Sequence, residues 1–212
     1  MNAGTSTDAR GETGSGALTA EDLGREQLYA VLARLWYDAP DRGLLEALAR
    51  SEGLFGDAPG SALVESWREL ARAAAVADPV AVKTEYDDAF VGVGRAPITL
   101  YCSTYLTPSG RERIVAALRD ELRDLGLART GPSHEPEDHL AVLCEVMRHL
   151  VAAGSDEAAL SAQKRFFLRY IHPAYIQLTE EIRNAAAGQF YSEVARVMKA
   201  FFDVESESFQ MV

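Results

Sequence analysis

Apolar positions repeat every three to four residues over most of this chain, a spacing that predicts helices rather than strands. Leu28, Val31, Leu32, Leu35 and Trp36 fall on one helical face until Pro40 stops the run. Thr19, with Asp22 three residues on, supplies a capping box to start that helix. Leu44, Leu45, Leu48 and Ala49 predict a shorter second helix closed by Gly53. Leu63, Val64, Trp67, Leu70 and Ala71 predict a third, ending before Pro79, and a fourth from about Val80 carries Val82, Tyr86 and Phe90 to Gly92 and Gly94. The stretch GVGRAPITLYCSTYLTPSG (92–110) interrupts the periodicity with glycines, prolines, β-branched and aromatic residues, which suit an ordered loop. Helical spacing resumes over 111–127, breaks at RTGPSH (129–134), and runs again from Pro136 to Ala153, with two or three further helices over Asp156–Asp203. Strand and helix patterns do not alternate, and no repeat of 20–50 residues recurs. The expectation is an all-α, single-domain bundle of roughly eight to ten helices over 19–205, between a disordered N-terminal tail (1–18) and a short C-terminal tail (206–212).

Composition narrows the function classes. A chain of 212 residues with 48% hydrophobic content can bury a substantial single core. Its formal net charge of -11 argues against nucleic acid as a partner, because phosphate contacts need clustered Lys and Arg. The Gly-, Ser- and Thr-rich start lacks the apolar core of a signal peptide and the basic amphipathic face of a transit peptide. No apolar run approaches the roughly 20 residues that span a bilayer, so a soluble, cytoplasmic protein is expected. Two cysteines do not make a disulfide framework.

Candidate chemistry concentrates in GPSHEPEDHLAVLCEVMRHL (131–150), which holds three of the four histidines and one of the two cysteines. A metal site fails on spacing: His134 and His139 are five apart, about 140° around a helix, and so are His139 and Cys144. With Pro136 at the first helical position, Glu137 and Asp138 occupy the first turn, where carboxylates favour the positive end of the helix dipole. Leu140, Leu143, Cys144, Met147, Leu150 and Val151 then form the core-facing stripe, which makes Cys144 a buried thiol and leaves His149 solvated. Asp138 and His139 stand at the helix entrance, where they either receive a ligand or tie down the preceding loop. Tyr86, Phe90, Tyr101 and Tyr105 are either core or the apolar wall of a groove. Ser103 has no predictable base beside it. The chain carries no dinucleotide loop, phosphate loop, nucleophile elbow or C-x-x-C, so no catalytic residue, metal or cofactor is predicted.

Three ordered stretches resemble the TorD/DmsD family of redox-enzyme maturation chaperones, which is related to NarJ. EYDDAFVGVG (85–94) is similar to the family's E-Y-x-x-L-F-x-G-x-G, LYCSTYL (100–106) to its P-Y-E-S-x-Y-L, and Glu135, Pro136, Glu137, Asp138, His139 and Leu140 to its E-P-x-D-H-L. QKRFFLRYIHPAYIQL (163–178) and QFYSEVARVMKAFF (189–202) look like its closing helices, so the resemblance covers about 25–205. The chain departs from the pattern at Ala89, Leu100 and Cys102, and at Ile171–Tyr175, where Tyr175 takes a tryptophan position.

The resemblance implies a TorD-like fold and a non-catalytic role. Such proteins bind the twin-arginine leader, and often the folding body, of a molybdopterin oxidoreductase catalytic subunit, and delay its export until the cofactor is inserted. The family also allows weak guanine-nucleotide binding, for which this chain has no phosphate loop, and either a monomer or a homodimer. On this reading the loop 92–106 and the helix entrance at Pro136 face each other across a groove. Tyr86, Phe90, Tyr101, Ser103 and Tyr105 supply its wall, Asp138 with Glu137 pairs with the leader's arginines, and His139 orients Asp138. Two alternatives stand beside it: a small all-α metal- or nucleotide-dependent hydrolase using Asp138 and His139, and a non-catalytic dimerisation scaffold.

Overall fold

The computed structural model describes residues 18–56, 60–92, 96–128, 135–185 and 189–211. The expected N-terminal tail up to residue 17, the break at 129–134 and His134 lie outside them. Ten α-helical segments are present: α1 (Ala20–Tyr37), α2 (Arg42–Arg50), α3 (Ala62–Val76), α4 (Pro79–Tyr86), α5 (Ser103–Leu106), α6 (Arg111–Asp124), α7 (Leu140–Ala152), α8 (Glu157–Phe166), α9 (His172–Asn184) and α10 (Gln189–Met211). Wider π turns extend α4 over Asp87–Val91 and join α8 to α9 over Phe167–Ile171. The described residues therefore form nine helical rods and no strand, an all-α bundle as the periodicity predicts.

Local chemistry explains the boundaries. Thr19 caps α1 through a hydroxyl that accepts from the Asp22 amide, while the Asp22 carboxylate accepts from the Thr19 amide. Asp78 caps α4 with Pro79 in its first turn. Gly92, at φ +63°, ends the π turn after α4 in a conformation that favours glycine. Pro173 has no amide to donate four residues back to Arg169; the preceding π turn absorbs this, with the His172 amide reaching the Phe167 carbonyl.

Helix α1 packs chiefly on α7, while α10 packs on α3 and α9. Trp36, Tyr29, Tyr191, Phe166, Phe167, Phe201 and Phe202 are fully buried between them. The last helix passes the expected boundary at 205. It continues to Met211 because Phe202, Glu205 and Phe209 prolong one face, and Phe209 is buried with its ring 5.5 Å from that of Phe167.

A buried ionic knot joins four helices. Arg25 grips Glu205 with two donors (Nε to Oε1 2.6 Å, NH2 to Oε2 2.9 Å) and also reaches Gln163 Oε1 at 2.9 Å. Tyr29 donates to Glu205 Oε2 at 2.9 Å, and Gln163 Nε2 donates to the Leu150 and Gly154 carbonyls. Glu205→Ala leaves the largely buried Arg25 with Asp22 alone as counter-charge, and is expected to cost about 3 kcal/mol of stability. Urea titration followed by circular dichroism measures it; a loss below about 1 kcal/mol would show the knot to be dispensable.

Candidate functional site

From Ile98 to Cys102 the chain is neither helix nor strand; Ile98, Leu100 and Cys102 are buried while Tyr101 is 37% exposed. Two of the residues at which the chain departs from the resemblance, Leu100 and Cys102, are thus core positions. A buried segment outside helices and sheets must find partners for its backbone. Ile98 N donates to Ala89 O at 3.0 Å, Cys102 N to Asp138 O at 2.9 Å, and Leu100 O accepts from Leu140 N at 2.8 Å. The last two bonds flank an antiparallel bridge between Tyr101 and His139. This bridge corrects the expectation that Pro136 opens a helix. Pro136 starts a turn (His139 N to Pro136 O, 3.1 Å), His139 is held extended, and α7 begins at Leu140.

The loop and the helix entrance accordingly touch rather than face each other across a gap. Ser103 Oγ donates to Asp138 Oδ2 at 2.5 Å. His139 Nδ1 accepts from the Ala141 amide at 3.2 Å, which caps α7 and places the neutral ring's proton on Nε2, 4.0 Å from Glu135 Oε2. Burial lowers the His139 pKa, against the opposing pull of Glu135 and Asp138. Tyr101 packs edge-on against His139, and its hydroxyl donates to Glu135 Oε2 at 3.0 Å. Ser103 is 3% exposed, and Asp138 and His139 are each 5% exposed, so in this conformation they hold two segments together rather than meet a ligand.

The other predicted residues divide similarly. Tyr86 and Phe90 are core, in one aromatic cluster with Trp36 and Tyr191, and the Tyr86 hydroxyl reaches the Trp36 and Tyr37 carbonyls at the end of α1. Tyr105 is half-buried, with its hydroxyl 2.8 Å from Glu181 Oε2 and 2.9 Å from Thr99 O. Glu137 differs: its carboxylate reaches the surface and pairs with Arg119 Nε at 2.9 Å. Glu85, which the sequence reading left without a role, accepts from the Phe190 and Tyr191 amides and caps α10. Cys102 and Cys144 are buried, and burial raises both thiols.

Glu137 lines a groove of about 600 Å³ between α1, α6 and α7. Ala33, Leu122, Leu127, Ala141, Val142 and Val146 form its floor; Glu135, Glu137, Glu145, Arg34, Arg119 and Arg148 stand around it. One signal was available for it. Val142, Glu145, Val146 and His149 lie at i, i+3, i+4 and i+7, a second face of α7 beside the core stripe. A second apolar groove of about 580 Å³, between α1, α2, α3 and α10, contains none of the predicted site residues. Among the described residues, no group of His, Cys, Asp and Glu could hold a metal ion, and no helix is long and apolar enough to cross a membrane.

The model of the family described as nitrate reductase delta subunit matches residues 57–201. The chaperone protein TorD of Ferrimonas balearica is 31% identical over 170 residues, covering 77% of this chain and 74% of that protein. This chain belongs to the TorD/NarJ family of redox-enzyme maturation chaperones. It is a chaperone and not an enzyme, which removes the hydrolase alternative.

The buried His139 carries a pH signature. Its folded pKa lies below the unfolded value of about 6.5, so its contribution is complete above that value and is lost as pH falls below it. Stability should decline as pH falls below about 6.5, by at most about 1.4 kcal/mol per pH unit from this group. His139→Gln should flatten that limb in denaturant titrations; parallel profiles would refute it.

Proposed function

We propose that this chaperone binds the twin-arginine leader of a molybdopterin oxidoreductase catalytic subunit in the groove between α1, α6 and α7. It holds the apo subunit in the cytoplasm until the cofactor is in place. The observation that carries this reading is the groove's composition: an apolar floor with two carboxylates, Glu135 and Glu137, at one end of a rim that also holds Arg34, Arg119 and Arg148. A twin-arginine leader offers the complement, a basic start followed by an apolar run. Glu135 and Glu137 sit at that end because the Tyr101–His139 bridge holds their turn; Glu145 and Glu26, farther along α7 and α1, are both paired with Arg148. The net charge of -11 adds long-range attraction for a basic segment.

The division of labour differs from that read off the sequence. Asp138, His139 and Ser103 shape the groove's end from behind, and Tyr86 and Phe90 support α1 and α10. Glu137 and Glu135 are the carboxylates that a guanidinium can approach. Apolar burial along Val142, Val146 and Leu122 supplies most of the affinity, while the charges set register and association rate.

Isothermal titration with the leader peptide and its twin-lysine version tests this. Val142→Asn removes apolar contact without adding charge, and should weaken binding about tenfold with a stability change within about 0.5 kcal/mol. Asp138→Asn should instead lower the melting temperature. Unchanged leader affinity in Val142→Asn, or equal affinity for peptides lacking the arginine pair, would sink the assignment.

A further inference from the structure

The groove carries its own guanidinium on the carboxylate best placed for a ligand. Arg119 Nε lies 2.9 Å from Glu137 Oε2, and the two partners are held very differently. Glu137 sits on a turn pinned by the bridge and buried behind by Asp138 and His139; its side chain is 21% exposed. Arg119 reaches over from α6, is 57% exposed, and Glu137 is the one carboxylate with which it forms an ion pair among the described residues. The anion sits on a pinned turn, and the cation is carried on an exposed side chain. Arg148, by contrast, is held by both Glu145 (2.9 Å) and Glu26 (3.0 Å), and Arg34 donates to the Asp38 carbonyl.

We infer that Arg119 is an internal stand-in for an arginine of the bound segment. It satisfies Glu137 while the groove is empty and swings away when a second guanidinium takes its place. This inference rests on the leader reading above, and adds what an incoming cation must displace. An incoming group must outcompete a resident guanidinium, not merely neutralise a carboxylate. A guanidinium replaces its like with a planar N–H donor and weak hydration, whereas an ammonium is a strongly hydrated point charge that gains less from the same carboxylate. Arg119 raises the threshold for both by the same factor, so the preference for arginine belongs to Glu137 and its surroundings while Arg119 sets the overall affinity. The pair is exposed enough that breaking it costs little, which keeps the exchange reversible.

The test uses the full chain and titrates twin-arginine and twin-lysine leaders against wild type, Arg119→Lys, Arg119→Gln and Arg34→Gln. Arg119→Lys preserves the charge and weakens only the stand-in; it should tighten both leaders by the same factor, about threefold, and leave the arginine-to-lysine preference unchanged. Arg119→Gln should tighten both leaders about tenfold, whereas Arg34→Gln should shift both by no more than about twofold. Unchanged or weaker binding in both Arg119 variants, or equal shifts in Arg119→Gln and Arg34→Gln, overturns the stand-in while leaving the leader reading intact if wild type binds. If wild type binds no leader but Arg119→Gln captures a short Arg-Arg peptide that wild type does not, the stand-in holds and the leader reading falls. Absence of binding by every variant overturns both.

Discussion

The site depends on one constraint: the largely buried loop from Ile98 to Cys102 has to satisfy its backbone without a helix or a sheet of its own. It does so by borrowing partners on both sides. Ala89, at the end of the π turn, accepts from Ile98, and the Asp138–Leu140 backbone pairs with Cys102 and Leu100. That second pairing sets His139 extended, delays α7 to Leu140, and leaves Pro136 and Glu137 at the surface as a corner while Asp138 stays buried. Glu135 and Glu137 owe their position at the groove's edge to this bridge.

The motif residues around that constraint behave as a mutual staple. Glu85 caps α10, Tyr86 ties the last carbonyls of α1, Ser103 holds Asp138, and Tyr105 reaches Glu181 on α9. Each joins elements far apart in sequence through one buried polar contact. Such contacts specify an arrangement more than they stabilise it, because each group gives up water to make its bond. Residues of this kind look like ligand-binding residues in a sequence, being polar, aromatic and clustered, yet they face one another. The surface they position is chemically plainer: valines, alanines and leucines with glutamates beside them.

This explains which features were legible. The helices were, because their apolar spacing and caps are local: Thr19 with Asp22, and Asp78 with Pro79, act within four residues. The core stripe of α7 and the buried Cys144 followed from the same periodicity. The start of α7 was not legible, since Pro136 satisfies the local rule for a first helical residue and loses only to a backbone pairing thirty-five or more residues away. The end of α10 was missed because Phe209 needs Arg25 and Phe167 to cover it. The availability of Asp138 could not be read either, since burial of a carboxylate depends on a serine thirty-five positions earlier.

On the proposed leader-binding reading, a chaperone that holds its cargo and then releases it needs an interface whose parts are fixed but whose bonds are cheap. The groove separates these requirements. Its walls belong to α1 and α7, the most closely packed pair in the fold, so its shape does not have to form on binding. Its ionic contacts are half-exposed, where solvent and salt keep each pair weak and fast to exchange. The strongly held charges, Arg25 on Glu205, lie on the other side of α1, where they secure the bundle and take no part in exchange. Placing the costly ionic bond in the scaffold and the inexpensive ones at the rim lets binding be selective without becoming permanent.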